Sequence, residues 1–183
     1  WIYTRTGIKE RRIVDKETAV SDLCIKAAKQ ALKVSNTTPE ELDLIVIGTS
    51  SSDYITPSTA CIVQKELRAV NAASFDVCAA CSGFAYALVT AENFLKLGSY
   101  KKVLVIGAEI LSKFLNWKDR NSCVLFGDGA GAIILEKSND ETVGIQSFDL
   151  GSDGNGYDKI IYKLGGSRSE DTRLNSSHVA ISY

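Results

Sequence analysis

The sequence is poor in several residue types, and each shortage narrows the possible functions. Its 183 residues include no methionine, one histidine and two prolines. A structural zinc site needs four ligands, usually cysteine or histidine, but the only close cysteine pair is Cys78 with Cys81 and the only histidine is His178. We therefore expect neither a metal site nor a separate cofactor. Because methionine is missing even at position 1, we also expect the chain to be a fragment or a processed product.

The sequence also lacks an excess of either charge and any long hydrophobic run. Lysine and arginine number 21 against 22 aspartate and glutamate, so nothing favours nucleic acid or an anionic membrane surface as a partner. No apolar run approaches the length of a membrane span, and no secretory signal opens the chain. The five cysteines are odd in number and irregular in spacing, which is typical of reduced, cytoplasmic proteins.

The sequence does contain an alternation of continuous apolar runs with amphipathic segments. The runs Leu44–Gly48 and Val103–Gly107 predict strands that are buried on both faces. A helix is predicted from a cap at Thr18 to Asn36, and another has Pro57 in its first turn. Further strands are predicted at Phe75–Cys78, Val124–Phe126 and Ala130–Leu135. Strands that alternate with helices predict a layered α/β fold.

The stretch from Asn71 to Gly98 organises the chain, because it places a cysteine between a strand and a helix. Small and apolar residues after Cys81 predict a mostly buried helix that has Lys96 in its last turn and stops at Gly98. Unpaired N–H groups and the positive end of the helix dipole favour a thiolate at such a turn, which suits a nucleophile. Free cysteines are usually inert packing residues, and the placement alone leaves both interpretations open.

Two motifs have rival interpretations. Cys78 and Cys81 have the spacing of a redox pair, but we expect Cys78 to lie within the strand and pack there. The glycines from Gly127 to Gly131 suggest a nucleotide-binding loop, but they lack the G-x-G-x-x-G spacing and any following Lys-Ser or Lys-Thr. Close backbone packing between strands is the better explanation for these glycines.

Four segments of the chain stand out. They are residues 1–8, 57–61, 80–84 and 126–132, and they read WIYTRTGI, PSTAC, ACSGF and FGDGAGA. Together they resemble the β-ketoacyl-acyl-carrier-protein synthase III family, a group of condensing enzymes in the thiolase superfamily. Each segment alone is a weak signal, but four in the family's order are specific. The resemblance extends from Trp1 to about Gly166, and it implies the N-terminal half of a thiolase-like layered fold.

The resemblance implies an acyltransferase of fatty acid biosynthesis that joins an acyl-CoA starter to malonyl-acyl-carrier protein, in the form of a homodimer. By position Cys81 is the nucleophile that carries the acyl group as a thioester, and its own N–H is one oxyanion donor. The resemblance also implies that Trp1 and Arg120 sandwich the adenine of coenzyme A and that Arg5 is a second cationic contact to that ligand. Asn121 is also implied in substrate binding, although the family more often has a small residue there.

The resemblance further implies that the chain is incomplete. The family's catalytic histidine and asparagine belong to a second half that is absent here, so we do not expect this chain to condense substrates alone. We interpret residues 1–168 as a partial thiolase-like domain. Residues 169–183 resemble translated sequencing-adapter DNA, so we expect a loosely attached or disordered tail and no function for His178. A related synthase with another starter and a non-enzymatic scaffold or redox domain remain open alternatives.

Overall fold

Four strands in the order β2-β1-β3-β4 form the main sheet of the computed structural model, which describes residues 1–140, 142–162 and 165–168 and the backbone of residues 179–181. The strands are β1 (Leu44–Gly48), β2 (Ala73–Val77), β3 (Lys102–Ile110) and β4 (Asp128–Glu136). β1 is parallel to both neighbours, with Leu44 opposite Ala73 on one side and Val103 on the other. The carboxyl ends of β1, β2 and β3 therefore lie at the same end of the sheet.

Four α-helices accompany the sheet in the described part of the chain. They are α1 (Ile2–Thr6), α2 (Val20–Ser35), α3 (Thr59–Leu67) and α4 (Gly83–Lys96). α4 packs on the sheet through Ala87 and Ala91, which are fully buried in one core cluster with Val46 and Val105. Their small side chains let the helix approach the strands closely at interior packing density. No helix in the described part of the chain is both long and apolar enough to cross a membrane.

The chain divides into two compact units. The first unit comprises Trp1–Glu17, Ile110–Asp128 and Gly151–Tyr183, and the second comprises Thr18–Glu109 and Gly129–Leu150. Within the first unit, two short strands pair antiparallel, namely β5 (Ile160–Tyr162) and β6 (Val179–Ile181). Residues 169–178, with His178 among them, lie outside the described residues. The domain boundary near residue 168 and the loose tail therefore stay predictions.

Several features of the fold agree with the sequence predictions. β1 occupies the predicted five residues and is buried throughout. α2 ends at Ser35, and its C-cap Asn36 adopts a left-handed conformation with φ of 51°. Gly98 after α4 is also left-handed, with φ of 81°. Cys24 is fully buried on α2, as the helical spacing of its apolar neighbours predicts. The predicted layered α/β class is confirmed.

The predicted cap of α2 is wrong, because the helix begins after Ala19 and not after Thr18. The Asp22 carboxylate accepts a hydrogen bond from the Ala19 N–H at 2.8 Å. Asp53 accepts from both the N–H and the hydroxyl of Ser21, at 3.0 and 2.6 Å. Carboxylates therefore satisfy the first amides of this helix, and one of them is remote in sequence.

The predicted start of α3 is also wrong, because Pro57 lies outside the helix, which begins at Thr59 after Ser58. The Asp76 carboxylate of β2 accepts hydrogen bonds from the N–H groups of Thr59 and Ala60, at 2.7 and 2.8 Å. This acceptor comes from a neighbouring strand rather than from a local capping residue. It gives a structural reason for the single charged residue of β2.

The strand predicted at Val124–Phe126 is absent, and the segment forms turns instead. The N–H of Leu125 donates to the carbonyl of Ser122 at 3.1 Å. The carbonyls of Cys123 and Phe126 accept hydrogen bonds from the Arg11 guanidinium. A side chain therefore satisfies carbonyls that a neighbouring strand would otherwise pair with.

The prediction that Cys78 lies within a strand and packs is wrong, because β2 ends at Val77 and Cys78 is exposed. The explanation given for the glycine motif is also only partly right. A Cβ on Gly127 would lie 3.1 Å from the carbonyl oxygen of Arg12, so this glycine packs against the backbone of an N-terminal segment, not between strands. Gly129 and Gly131 lie inside β4 with open space around them.

Candidate active site

Cys81 lies in a single turn that joins β2 to α4. The turn is a 3₁₀ helix over Ala80–Ser82. The N–H of Ser82 donates to the Ala79 carbonyl at 3.1 Å, and the N–H of Gly83 donates to the Ala80 carbonyl. The amide of Cys81 itself stays outside these hydrogen bonds, and its thiol is exposed. The predicted placement at the start of a helix is therefore confirmed, with a turn inserted before the helix proper.

The residue before Cys81 has an unusual backbone conformation. Ala80 has φ of 45°, in the left-handed region that costs a residue with a Cβ about 1 kcal/mol or more. The surrounding fold must hold this conformation, because alanine gains nothing from it. Such strain is found most often where a protein fixes a functional group, and here the neighbour is the cysteine.

Two glycines at paired positions of the parallel strands β1 and β3 hold the start of α4 against the sheet. A Cβ on Gly48, the last residue of β1, would lie only 2.5 Å from the carbonyl carbon of Gly83. A Cβ on Gly107, in β3, would lie 3.0 Å from the ring of Phe84. Gly48 has no room for a side chain, and at Gly107 a side chain would require the ring of Phe84 to shift. The backbone that carries Cys81 is therefore fixed by direct contact between β1 and the first residue of α4.

A carboxylate at the end of β3 organises the loop that follows β1. Glu109 accepts hydrogen bonds from the N–H and the hydroxyl of Ser50, both at 2.8 Å, and from the hydroxyl of Ser51 at 2.6 Å. Asp76 also accepts from the hydroxyl of Ser52, at 3.4 Å. The sequence analysis did not identify Asp76 or Glu109 as residues that organise this site. Asp76 is a charged residue within a predicted strand, and Glu109 lies where β3 continues past its predicted end at Gly107.

The five cysteines differ in their surroundings. Cys24 and Cys123 are buried, whereas Cys61, Cys78 and Cys81 are exposed. Burial raises the pKa of the Cys24 thiol to about 12, with smaller contributions from nearby carboxylates. The sulfur of Cys61 lies within 3.4 Å of two serine hydroxyls. Only the three exposed thiols are accessible to reagents from solution.

In the first unit, the predicted coenzyme A contacts gather around one aromatic ring. The guanidinium carbons of Arg5 and Arg120 each lie 5.0 Å from the centroid of the Trp1 indole ring. Trp1 is 58% exposed, so this assembly is open to solvent. Planar cations over an indole ring stack in the same manner as a purine base. The structure therefore brings together three of the four residues predicted to bind substrate.

Asn121 is not part of this stacked group. Its N–H donates to the Asp119 carboxylate at 3.0 Å, and its side chain is exposed. Asp119 also accepts from the Ser122 hydroxyl at 2.5 Å. Both hydrogen bonds lower the pKa of Asp119, and the one from the Ser122 hydroxyl has the larger effect. Asn121 thus helps to shape the loop that carries Arg120, and its role in substrate binding stays a prediction.

Arg11 and Asp128 are two further residues that sequence analysis missed in the first unit. Asp128 accepts hydrogen bonds from the N–H of Val14 at 2.9 Å and from the N–H and hydroxyl of Ser112 at 2.9 and 2.6 Å. Asp128 lies in the fourth segment that carries the family resemblance, and Arg11 follows the first segment closely, but the partners of both residues are remote in sequence.

Within the described residues, no group of three or more histidine, cysteine or acidic side chains is placed to hold a metal ion.

Comparison with known proteins places this geometry in a family. Residues 75–154 match the family model of 3-oxoacyl-[acyl-carrier-protein (ACP)] synthase III. The β-ketoacyl-[acyl-carrier-protein] synthase III of Syntrophomonas wolfei is 58% identical over 167 residues, which are 91% of this chain and 50% of that protein. The corresponding protein of Caldanaerobacter subterraneus is 54% identical over 168 residues, again 50% of its length.

Solved structures give the same result for the fold. The synthase III of Thermus thermophilus is 37% identical with a TM-score of 0.89, over 100% of this chain and 56% of that chain. The synthase III of Aquifex aeolicus is 55% identical with a TM-score of 0.74, over 77% and 46% of the two chains. A priming β-ketosynthase from the R1128 polyketide pathway is 34% identical with a TM-score of 0.81, over 89% and 48%.

The fold is therefore the thiolase-like fold of the condensing enzymes. The chain belongs to the β-ketoacyl-[acyl-carrier-protein] synthase III family, and it spans about half the length of the curated relatives it matches. The family resemblance inferred from the four sequence segments is confirmed.

Proposed function

We propose that this chain is part of an acyltransferase of fatty acid biosynthesis. The Cys81 sulfur attacks the thioester carbonyl of an acyl-CoA, a new thioester forms on Cys81, and coenzyme A leaves as its thiol. Malonyl-acyl-carrier protein then loses carbon dioxide, and the resulting carbanion attacks the Cys81 thioester. The product is a β-ketoacyl-acyl-carrier protein, and the cysteine is regenerated. This two-step scheme is nucleophilic catalysis with a covalent intermediate.

The observation that carries the proposal is the exposed Cys81 in a strained turn directly before α4. A helix start offers amide donors to a developing negative charge. The Cys81 amide, which the turn does not use, is the first such donor for the tetrahedral oxyanion. Close packing between Gly48 and Gly83 keeps these amides in place, as pre-organised catalysis requires.

Trp1, Arg5 and Arg120 are the proposed binding residues for the nucleotide end of coenzyme A. An adenine ring sandwiched between Trp1 and Arg120 must displace the guanidinium that now lies 5.0 Å from the indole. The stacking is kept, because the base replaces the cation on the indole and the cation stacks on the base. Arg5 then serves as a cationic partner for phosphate. Asn121 is proposed as a weaker contact on the same loop.

The proposed partners are acyl-CoA, malonyl-acyl-carrier protein and a second copy of the chain. Among the described residues, β2 borders only β1 in the main sheet, and we propose that its other edge pairs with a second copy. A cytoplasmic location is proposed because all five cysteines are free, as a reducing compartment favours. The histidine and asparagine that assist decarboxylation in the family are proposed to come from the second half.

A radiolabel assay on three proteins tests this function. They are the 183-residue chain, the same chain joined to the second half of a relative, and the joined protein with Cys81→Ser. The joined protein should condense labelled acyl-CoA with malonyl-acyl-carrier protein, whereas the chain alone should not. Cys81→Ser should reduce acyl transfer on the order of a thousandfold or more, because a hydroxyl is far less ionised than a thiol. Efficient condensation by the chain alone, or full activity of the serine variant, would contradict the proposal.

A related synthase with another acyl starter is the second candidate. The structural similarity to a priming β-ketosynthase of a polyketide pathway favours it. Competition between acetyl-CoA and longer acyl-CoA thioesters for the joined protein distinguishes the two candidates. A preference for acetyl-CoA supports the fatty acid enzyme, and a strong preference for a longer or branched starter supports the alternative.

A further inference from the structure

Arg11 makes three contacts with one loop of the first unit. Its Nη1 atom donates to the carbonyl of Phe126 at 2.8 Å and to the carbonyl of Cys123. Its guanidinium carbon lies 5.7 Å from the centroid of the Trp117 ring. The side chain is half-buried. A single side chain therefore fastens the loop at three points.

These contacts lie on both sides of Arg120. Trp117 precedes Arg120 by three residues, and Cys123 follows it by three. The Trp117 Nε1–H donates to the Ser112 carbonyl at 3.1 Å. The part of the loop before Arg120 is therefore also held by a residue that precedes the loop. The position of Arg120 over the Trp1 ring thus depends on a loop that Arg11 holds closed.

We propose that Arg11 is a positioning residue for the adenine-binding pair, because it holds the loop 115–127 so that Arg120 stays over Trp1. The proposal rests on the proposed function, since it assumes that the pair binds coenzyme A. Arginine suits this role because its planar group donates several hydrogen bonds in fixed directions while its face stacks on an aromatic ring. Lysine has neither the fork geometry nor the planar face.

The neighbouring Arg12 is a matched control. Its guanidinium makes an ion pair with Glu10 at 3.4 Å, with both side chains largely exposed. Exposed pairs of this kind contribute little. Removal of Arg12 therefore removes the same charge from the same segment but leaves the loop contacts of Arg11 intact.

The test measures the Kd of coenzyme A and of 4′-phosphopantetheine, which lacks the adenine nucleotide, for variants of the 183-residue chain. Arg11→Ala should weaken coenzyme A binding roughly tenfold and leave phosphopantetheine binding unchanged. Arg11→Lys should recover only part of the loss, and Arg12→Ala should change the Kd less than about twofold. In a double-mutant cycle, Arg11→Ala should cost nothing further once Arg120→Ala is present, because both act through one contact.

Additive effects of Arg11→Ala and Arg120→Ala, or equal losses for both ligands, would overturn the positioning role and leave the proposed function intact. Coenzyme A binding unchanged in every Arg11 variant would do the same. If Arg11→Ala does not fold, as judged by circular dichroism, the cycle is run with Arg11→Lys, whose smaller loss must also vanish beside Arg120→Ala. Failure of the unmutated chain to bind coenzyme A would overturn the proposed function and this inference together.

Discussion

Cys81 and Trp1 belong to different compact units, and the chain fixes each by a different kind of contact. The turn that carries Cys81 is held by backbone packed on backbone, where a Cβ on Gly48 would come within 2.5 Å of Gly83. The ring of Trp1 instead contacts two guanidinium groups, whose carbons each lie 5.0 Å from the ring centroid. One of these groups belongs to Arg120, which is carried on a loop held by side-chain hydrogen bonds.

The difference follows from what each site has to do. Close-packed backbone is nearly incompressible, which suits a nucleophile whose misplacement by an ångström costs much of the rate. Exposed cation–π contacts contribute only about 0.5–1 kcal/mol each, so a ligand can replace them at small cost. The proposed catalytic turn is therefore rigid, and the proposed ligand clamp can open.

The largest expected effect comes from filling the space at Gly48. Gly48→Ala should lower the free energy of unfolding by about 2–3 kcal/mol, because the new methyl group must push the start of α4 off the sheet. Urea denaturation measures the change. Gly129→Ala is the control, since a Cβ there meets nothing within 4 Å. Equal effects of the two substitutions would contradict the packing account of the Cys81 turn.

A smaller effect is expected from the polar contacts of the first unit. Asp128→Asn should destabilise the protein by about 1–2 kcal/mol, because the carboxylate accepts three hydrogen bonds and an amide oxygen replaces it only in part. Hydrogen exchange should accelerate at the amides of Val14 and Ser112. The exposed Asp149→Asn serves as the control. Unchanged exchange at both amides would show that the hydrogen bonds of Asp128 do not hold this unit together.

The buried Cys24 should make the second unit sensitive to alkali. Its pKa is raised from 9.0 to about 12 in the folded protein, so the fold favours the protonated thiol. The stabilisation is therefore complete below pH 9 and is lost as the pH rises toward 12, with a slope of about 1.4 kcal/mol per pH unit. Cys24→Ala should flatten the dependence of unfolding free energy on pH above 9 relative to the unmutated chain. Parallel curves for the variant and the unmutated chain would count against the burial of this thiol.

The smallest expected effect is a difference in labelling rate among exposed thiols. Iodoacetamide should alkylate Cys81 several-fold faster than Cys61 or Cys78, because the amides at the start of α4 face its turn. Cys24 and Cys123 are buried and should react last. Peptide mapping after timed quenching gives the five rates. Equal rates for the three exposed thiols would show that the turn confers no special reactivity.

Local sequence patterns predicted the elements whose reasons are local. The run Leu44–Gly48 is apolar because both faces are buried, and the strand has the predicted bounds. Asn36 and Gly98 end helices because they tolerate a left-handed backbone. The place of Cys81 between a strand and a helix follows from the short apolar segment before it and the run of small and apolar residues after it.

Features that depend on remote partners could not be predicted in this way. Asp53 and Asp76 supply acceptors to helix starts that are far away in sequence, so the local caps at Thr18 and Pro57 were misleading. Arg11 takes the carbonyls of Cys123 and Phe126, which turns an apolar run into a loop. The grouping of Trp1 with Arg120 came from the family resemblance, since no local pattern joins residues more than 100 positions apart.

Mass spectrometry of the acylated chain tests the central claim most directly. The 183-residue chain and its Cys81→Ser variant are incubated with acetyl-CoA or butyryl-CoA, digested, and mapped for acylated peptides. Transfer of the acyl group to Cys81, with none on Cys61 or Cys78 and none on the variant, is the result predicted by the placement of Cys81 before α4. Acylation of Cys61 or Cys78 to the same extent, or an adduct that persists in Cys81→Ser, would contradict the assignment of the nucleophile.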